Sequence, residues 1–242
     1  MLTKQEMLEE ELRIDRIFDL TKTRAAALFE GVKYPWEALS GIGRAILEIG
    51  ETLPEEEFDH PKEDVWIAKD VKVYPTAWIN GPCIIDHGTE VRHCAFIRGN
   101  ALVGKNCVVG NSVELKNVIL FDNVQTPHYN YVGDSILGYK AHMGAGSITS
   151  NVKSDHSLVT VRVGERIIPT GLKKFGAMLG DQAEIGCNSV LNPGTIVGRA
   201  TTVYPVSRVR GLVPAYAIYK DADDIVYKMK RGPAPAEGGR AE

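Results

Sequence analysis

Nine aliphatic residues stand six apart without interruption, at Ile67, Val73, Ile79, Ile85, Val91, Ile97, Val103, Val109 and Leu115. The residue two places before each is small or apolar: Val65, Val71, Ala77, Cys83, Thr89, Ala95, Ala101, Cys107 and Val113. A period of six fits neither the helical repeat of about 3.6 nor the alternation of a long strand. Two inward positions in every six describe a short strand followed by a turn, and three such units close a triangular coil. One coil is too thin to bury a core of its own, so the coils must stack.

The frame returns at Leu179, Ile185, Leu191, Val197, Val203 and Val209, with Val132, Leu137 and Met143 keeping an irregular version between the two blocks. These repeats predict an all-β solenoid of about six coils over residues 61–213. Cys83 and Cys107 fall at inward positions and are expected to be packing residues. Residues 1–60 carry apolar residues at helical spacing, as in MLEEELRIDRIF and WEALSGIGRAILEIGETL, and are expected to form a helical extension. Residues 214–242 read as a C-terminal extension, a short strand and helix ending in a disordered tail, GPAPAEGGRAE.

Residues 152–176 leave the frame. The alternating apolar residues of SLVTVRVGERIIP, centred on Gly164, predict a hairpin thrown out from the side of the solenoid. Excursions of this length in solenoids commonly form binding loops, although a structural arm fits as well.

Residues 18 apart repeat on successive coils, about 4.8 Å from one another. Asn80, Arg98 and Lys116 make such a column, each just after an inward aliphatic residue and therefore pointing outward. Stacked cations at that spacing require solvent or an anion, and a phosphate-bearing ligand would match them. Just beyond, the hexad fails through PHYNYVGD, which places His128 in a loop close to Tyr131 and Asp134, with GAGSITSN ending at Asn151 shortly after. An imidazole, with an ordinary pKa near 6.5, suits proton removal at neutral pH.

A net charge of -3 argues against a surface built for nucleic acid. The four cysteines, Cys83, Cys94, Cys107 and Cys187, form no CxxC pair and no His-flanked metal spacing. No disulfide framework and no metal site is expected, and a reducing, cytoplasmic location fits. The acidic N-terminus lacks the apolar run of a signal peptide, and no window has the length of a membrane span.

The hexads resemble those of the bacterial hexapeptide-repeat transferases, which implies a left-handed parallel β-helix, a known exception to right-handed crossovers. VELK at 113–116, PHYNYVGD around His128 and GAGSITSN at 144–151 resemble the acetyltransferase domain of the bifunctional N-acetylglucosamine-1-phosphate uridylyltransferase and glucosamine-1-phosphate acetyltransferase. TGLKKFGAMLGDQAEIGCNSVLNPGTIVG is similar to archaeal bifunctional sugar-1-phosphate nucleotidylyltransferases, in which a PW-led helix like Tyr34-Pro35-Trp36-Glu37 links two domains. The resemblance implies CoA-dependent N-acetyl transfer to an amino sugar 1-phosphate by a homotrimer, with acetyl-CoA as co-substrate. It assigns His128 as general base, Arg98 and Lys116 to the phosphate, Tyr131 and Asn151 to the sugar, and Ala145 and Cys187 to the acyl-CoA groove between subunits.

The chain departs from that pattern in two places. His142 stands where the family has asparagine and Val152 where it has tyrosine, so the acceptor sugar is open. No Gly-rich nucleotide loop precedes Trp36, so nucleotidylyl transfer is not expected. Two other readings stay open: a non-catalytic trimeric module that binds a sugar phosphate or nucleotide sugar, and a zinc hydrolase resembling the γ-class carbonic anhydrases. The latter would draw on His93 and His128 with His87 or His142.

Overall fold

The computed structural model describes residues 3–228. It is a left-handed parallel β-helix with a helical N-terminal segment laid over one of its three faces. On the first face, strands at 65–68, 83–85, 101–103, 118–120, 135–137, 177–179, 195–197 and 212–213 stack in parallel. The second face stacks another eight, from Lys72–Val73 to Ala217–Tyr219. The third stacks seven, from Trp78–Ile79 to Arg208–Val209.

The solenoid is therefore longer than the six coils expected. Early coils pair residues 18 apart, as in Cys83 with Ala101. The middle coils pair residues 17 apart, as in Glu114 with Tyr131 and Gln125 with His142. The last pairs residues 16 apart, as in Ile196 with Leu212. A frame fixed at six loses step through the shortened coils, although inward packing continues there through Leu120, Val132 and Met143, all fully buried.

Inward residues of the first block are buried from Ile79 to Leu115, at most 7% exposed. Of the two that precede them, Ile67 is half-buried and Val73 is 39% exposed. Val73 lies in the first coil, where no earlier coil covers it. Cys83 and Cys107 sit in the core, and burial raises both thiols, that of Cys83 to about 12.

The outward side of the first face is also apolar. Trp66, Ile84, Leu102, Ile119, Ile136, Met178 and Ile196 succeed one another along its ladder, and all are buried. The N-terminal segment covers them with Leu12, Ile17, Phe18, Trp36, Leu39, Ile42 and Ile46. Its helices are short, Lys4–Glu10, Ile14–Ile17 and Ile42–Gly50, joined by 3-10 turns rather than continuous helix. The Arg24 guanidinium anchors it through Asp86, which is 1% exposed, at 2.5 and 3.1 Å. Gly50 lies so close to the Trp66 indole that a Cβ there would meet the ring at 2.6 Å.

The predicted excursion is a hairpin, Thr160–Val163 paired antiparallel with Arg166–Pro169. The chain leaves the coil at Asn151 and returns at Phe175, whose N–H donates to the Asn151 carbonyl at 3.0 Å. At the C-terminal end, Ala217–Tyr219 pairs antiparallel with Ile225–Tyr227, so the described part of that extension is a β-hairpin where a strand and helix were expected. The GPAPAEGGRAE tail lies outside the described residues.

Candidate functional site

The site is built where the second face turns into the third. At that corner the N–H groups of Ser112, Tyr129, Gly146, Asn188 and Val206 donate to the carbonyls of His93, Asn111, His128, Ala145 and Cys187. Each N–H reaches back one coil, so His93, Asn111, His128, Ala145 and Cys187 form one column along a prism edge. Tyr129 adopts a left-handed backbone (φ 53°), which turns the chain sharply after His128. The His128 side chain is exposed and has no hydrogen-bond partner among the described residues.

Three residues on, the chain enters the third face at Tyr131. In that face Trp78, Phe96, Glu114, Tyr131 and Ile148 are successive partners, and Lys116 pairs with Gly133. Arg98 and Lys116 are outward neighbours, as expected, but neither cation is left to solvent. Arg98 Nη1 donates to Glu114 Oε1 at 2.7 Å, and Lys116 Nζ lies 3.2 and 3.3 Å from the two oxygens of Asp134. The expectation of a column needing solvent or an external anion is thus corrected: Glu114, two residues before Lys116, stands beside Arg98 across an 18-residue coil, and Asp134 stands beside Lys116.

Asp134 is the hub of the group. It is 4% exposed and left-handed (φ 46°), and its carboxylate also accepts from Asn117 Nδ2 at 3.0 Å and Asn151 Nδ2 at 2.5 Å. Asn151 Nδ2 lies 3.2 Å from the Tyr131 hydroxyl as well. Burial raises the Tyr131 phenol, and the negative charges of Asp134 and Glu114 push it further, so the hydroxyl stays a neutral donor and acceptor.

The fold therefore brings Arg98, Lys116, Tyr131 and Asn151 into one patch, beside an edge that aligns His128, Ala145 and Cys187. Asp134, Glu114 and Asn117 complete the patch, and the sequence reading gave them no role. Glu114 had one readable signal: it lies two residues before Lys116 and so shares its outward face. Asp134 had one as well: it stands 18 residues after Lys116, the next place in the column of Asn80, Arg98 and Lys116, although its contacts with Asn117 and Asn151 cross 17 positions. His142 Nδ1 meets Glu184 Oε2 at 2.8 Å on the second face, one coil further along its strand ladder. Among the described residues, no three His, Cys, Asp or Glu side chains gather where they could hold a metal ion.

Fold and site together define a hexapeptide-repeat left-handed β-helix with a histidine on its edge and a buried polar network beside it. Residues 79–168 match the GMPPB C-terminal domain family. The chain resembles the bifunctional protein GlmU of Methanococcus aeolicus, at 32% identity over 66% of this chain and 43% of that protein. It is 38% identical to GlmU of Methanococcus vannielii over 56% of this chain and 33% of that one. It is also 31% identical to the bifunctional sugar-1-phosphate nucleotidylyltransferase/acetyltransferase of Sulfurisphaera tokodaii, over 46% of this chain and 28% of the relative. The chain spans less than half the length of each of these relatives. No helix among the described residues is long and apolar enough to cross a membrane.

Proposed function

We propose that the chain is an acetyl-CoA-dependent N-acetyltransferase that acts on an amino sugar 1-phosphate, with His128 as general base. The observation that carries this reading is the convergence of His128, Ala145 and Cys187 in one edge column beside the patch of Arg98, Lys116, Tyr131 and Asn151. Similarity to proteins whose names include acetyltransferase supports it.

The acceptor amine arrives as an ammonium and cannot attack a thioester until it loses a proton. One proton of the ammonium is lost to solvent, and the exposed His128 imidazole takes a second as the amine nitrogen bonds to the thioester carbonyl carbon. Backbone N–H groups at the edge stabilise the oxyanion. The carbon–sulfur bond then breaks, and the departing thiolate recovers the proton from the imidazolium. No covalent enzyme intermediate is required.

Arg98 and Lys116 hold the sugar phosphate even though each is ion-paired. A guanidinium has five donors and an ammonium three, so donors remain beyond those given to Glu114 and Asp134. Because the patch carries its own carboxylates, recognition rests on donor geometry more than on net charge. Tyr131 and Asn151 contact the sugar, and Ala145 and Cys187 line the path of the coenzyme. The enzyme is a homotrimer in which a neighbour closes this groove, and it is cytosolic, in keeping with four free cysteines.

The test is thiol release from acetyl-CoA with a panel of amino sugar 1-phosphates, using the full chain and a His128→Ala variant. Release that needs both an acceptor and His128 establishes the reaction and names the acceptor. No release with any acceptor from folded protein moves the assignment to the non-catalytic binding module. Sedimentation as a stable monomer contradicts the shared groove.

A further inference from the structure

The hairpin thrown out at residues 160–169 does not stand free. Its first strand runs back along the prism edge where the third face turns into the first, at the last coils. Gly194 and Gly211, both left-handed (φ 78° and 74°), permit this approach: a Cβ at either would meet the carbonyl oxygen of Thr160 or Arg162 at 2.6 Å. The hairpin thereby sets Arg162 beside Arg208 and Arg210 of the terminal coil, around a cavity of about 490 Å³ whose lining also includes Asn192 and Tyr219.

The charge of this cavity is one-sided. Among the described residues, the only charged groups that line it are the three arginines. Among the described residues none of the three takes part in an ion pair, whereas Arg13, Arg24, Arg44, Arg92, Arg98, Arg166 and Arg199 all do. In the acidic turn nearby, Asp221 accepts from the N–H groups of Asp223 and Asp224, and Asp224 pairs with Lys220, while burial, helped by the charges of Asp221 and Asp223, raises the Tyr219 phenol. Guanidinium groups held together without ion-pair partners repel one another, and an anion that spans them removes that cost.

Position gives the site a relation to the proposed chemistry. Tyr131, Ile148, Val190 and Arg208 are successive partners on the third face, so Arg208 lies three strand spacings, about 14 Å, from Tyr131. That distance suits a second phosphate on an extended ligand whose other end is at the edge histidine. The volume falls within the range of organic ligand sites, roughly 300–1,000 Å³.

We propose that Arg162, Arg208 and Arg210 form a second anion site that takes a phosphate or diphosphate group of an organic ligand. The hairpin exists in part to deliver Arg162 to it. The proposal does not depend on His128 or on the identity of the acceptor.

Calorimetry with inorganic pyrophosphate on the full chain tests it, comparing the unaltered protein with a variant carrying Arg162→Gln, Arg208→Gln and Arg210→Gln. All three side chains are exposed, so the variant should fold, and a thermal melt checks this. Binding should weaken roughly ten- to a hundred-fold in the variant, with a strong salt dependence in the unaltered protein. A second set of titrations with UDP, CoA and dephospho-CoA identifies the source of the phosphate. Loss confined to UDP assigns a nucleoside diphosphate, and loss for CoA but not dephospho-CoA assigns the 3′-phosphate of the coenzyme. Absence of pyrophosphate binding, or equal binding to both proteins, overturns the site. Arginine-dependent binding of pyrophosphate but of none of the organic ligands overturns the organic-phosphate assignment.

Discussion

The ammonium of Lys116 rests 3.2 Å from Asp134, a carboxylate 4% exposed and one coil further along the same edge. Asp134 fixes the direction of the Lys116 ammonium, and Asn151 and Asn117 are held by the same carboxylate. Under the proposed function, the pair would link folding stability to the geometry of acceptor binding. Asp134→Asn should cost about 1–3 kcal/mol in urea denaturation, because its amide leaves Lys116 without a counter-charge and sets an N–H against donors. In the thiol-release assay the same variant should raise the KM for the acceptor more than it lowers kcat. An unchanged KM would show that Asp134 serves the fold alone.

Thiol reactivity separates the core from the edge. Cys94 and Cys187 are exposed and Cys83 and Cys107 are buried with raised pKa, so native protein treated with iodoacetamide should take up two labels and denatured protein four. Saturating CoA should slow labelling of Cys187, read by peptide mass spectrometry. Labelling of Cys187 at the same rate with and without CoA would place the coenzyme elsewhere.

Burial raises the carboxyl of Asp122, and the negative charge of Asp86 adds to the effect, against one backbone hydrogen bond from the Lys105 N–H at 2.8 Å. The folded state then holds this proton more tightly than the unfolded chain. Below the ordinary carboxylate pKa of about 3.9 the two states bind it equally. As pH rises from there through the higher folded value, the folded state loses stability relative to the unfolded one. Asp122→Asn keeps the acceptor for Lys105 and removes the charge, so its melting temperature should exceed that of the unaltered protein at neutral pH, with the gap closing toward pH 3. A gap that widens on acidification would reverse the assignment.

Trp36 tests the clamp over the first face. It is 1% exposed, stacks on Tyr34 with ring centroids 4.5 Å apart, and tilts against Phe175 at 5.9 Å. Trp36→Ala should cost about 3–5 kcal/mol. Because Phe175 closes the excursion at Asn151, the same change should also weaken acceptor binding. Limited proteolysis should cut the N-terminal segment first in this variant. Cleavage confined to the solenoid would show that the segment holds without Trp36.

The hexad spacing by itself determined the solenoid, its inward residues and the side excursion, because a period of six is a local property that each short strand and turn satisfies independently. Sequence also marked Arg98, Lys116, His128, Tyr131 and Asn151, since they stand in short, recognisable runs. The number of coils, the gathering of Asn117 and Asn151 on Asp134, and the joining of Arg162 to Arg208 and Arg210 were decided only in the tertiary structure. The first two depend on how many residues a given coil spans, 18 early, 17 in the middle and 16 in the last, and the third on where the hairpin returns along Gly194 and Gly211. A one-residue change in coil length leaves inward packing intact but alters which side chains meet across the stack, and no local pattern encodes that sum. The apolar outer ladder of Ile84, Leu102 and Ile119 likewise carries no period that names its cover, and only the folded N-terminal segment shows why those residues are not exposed.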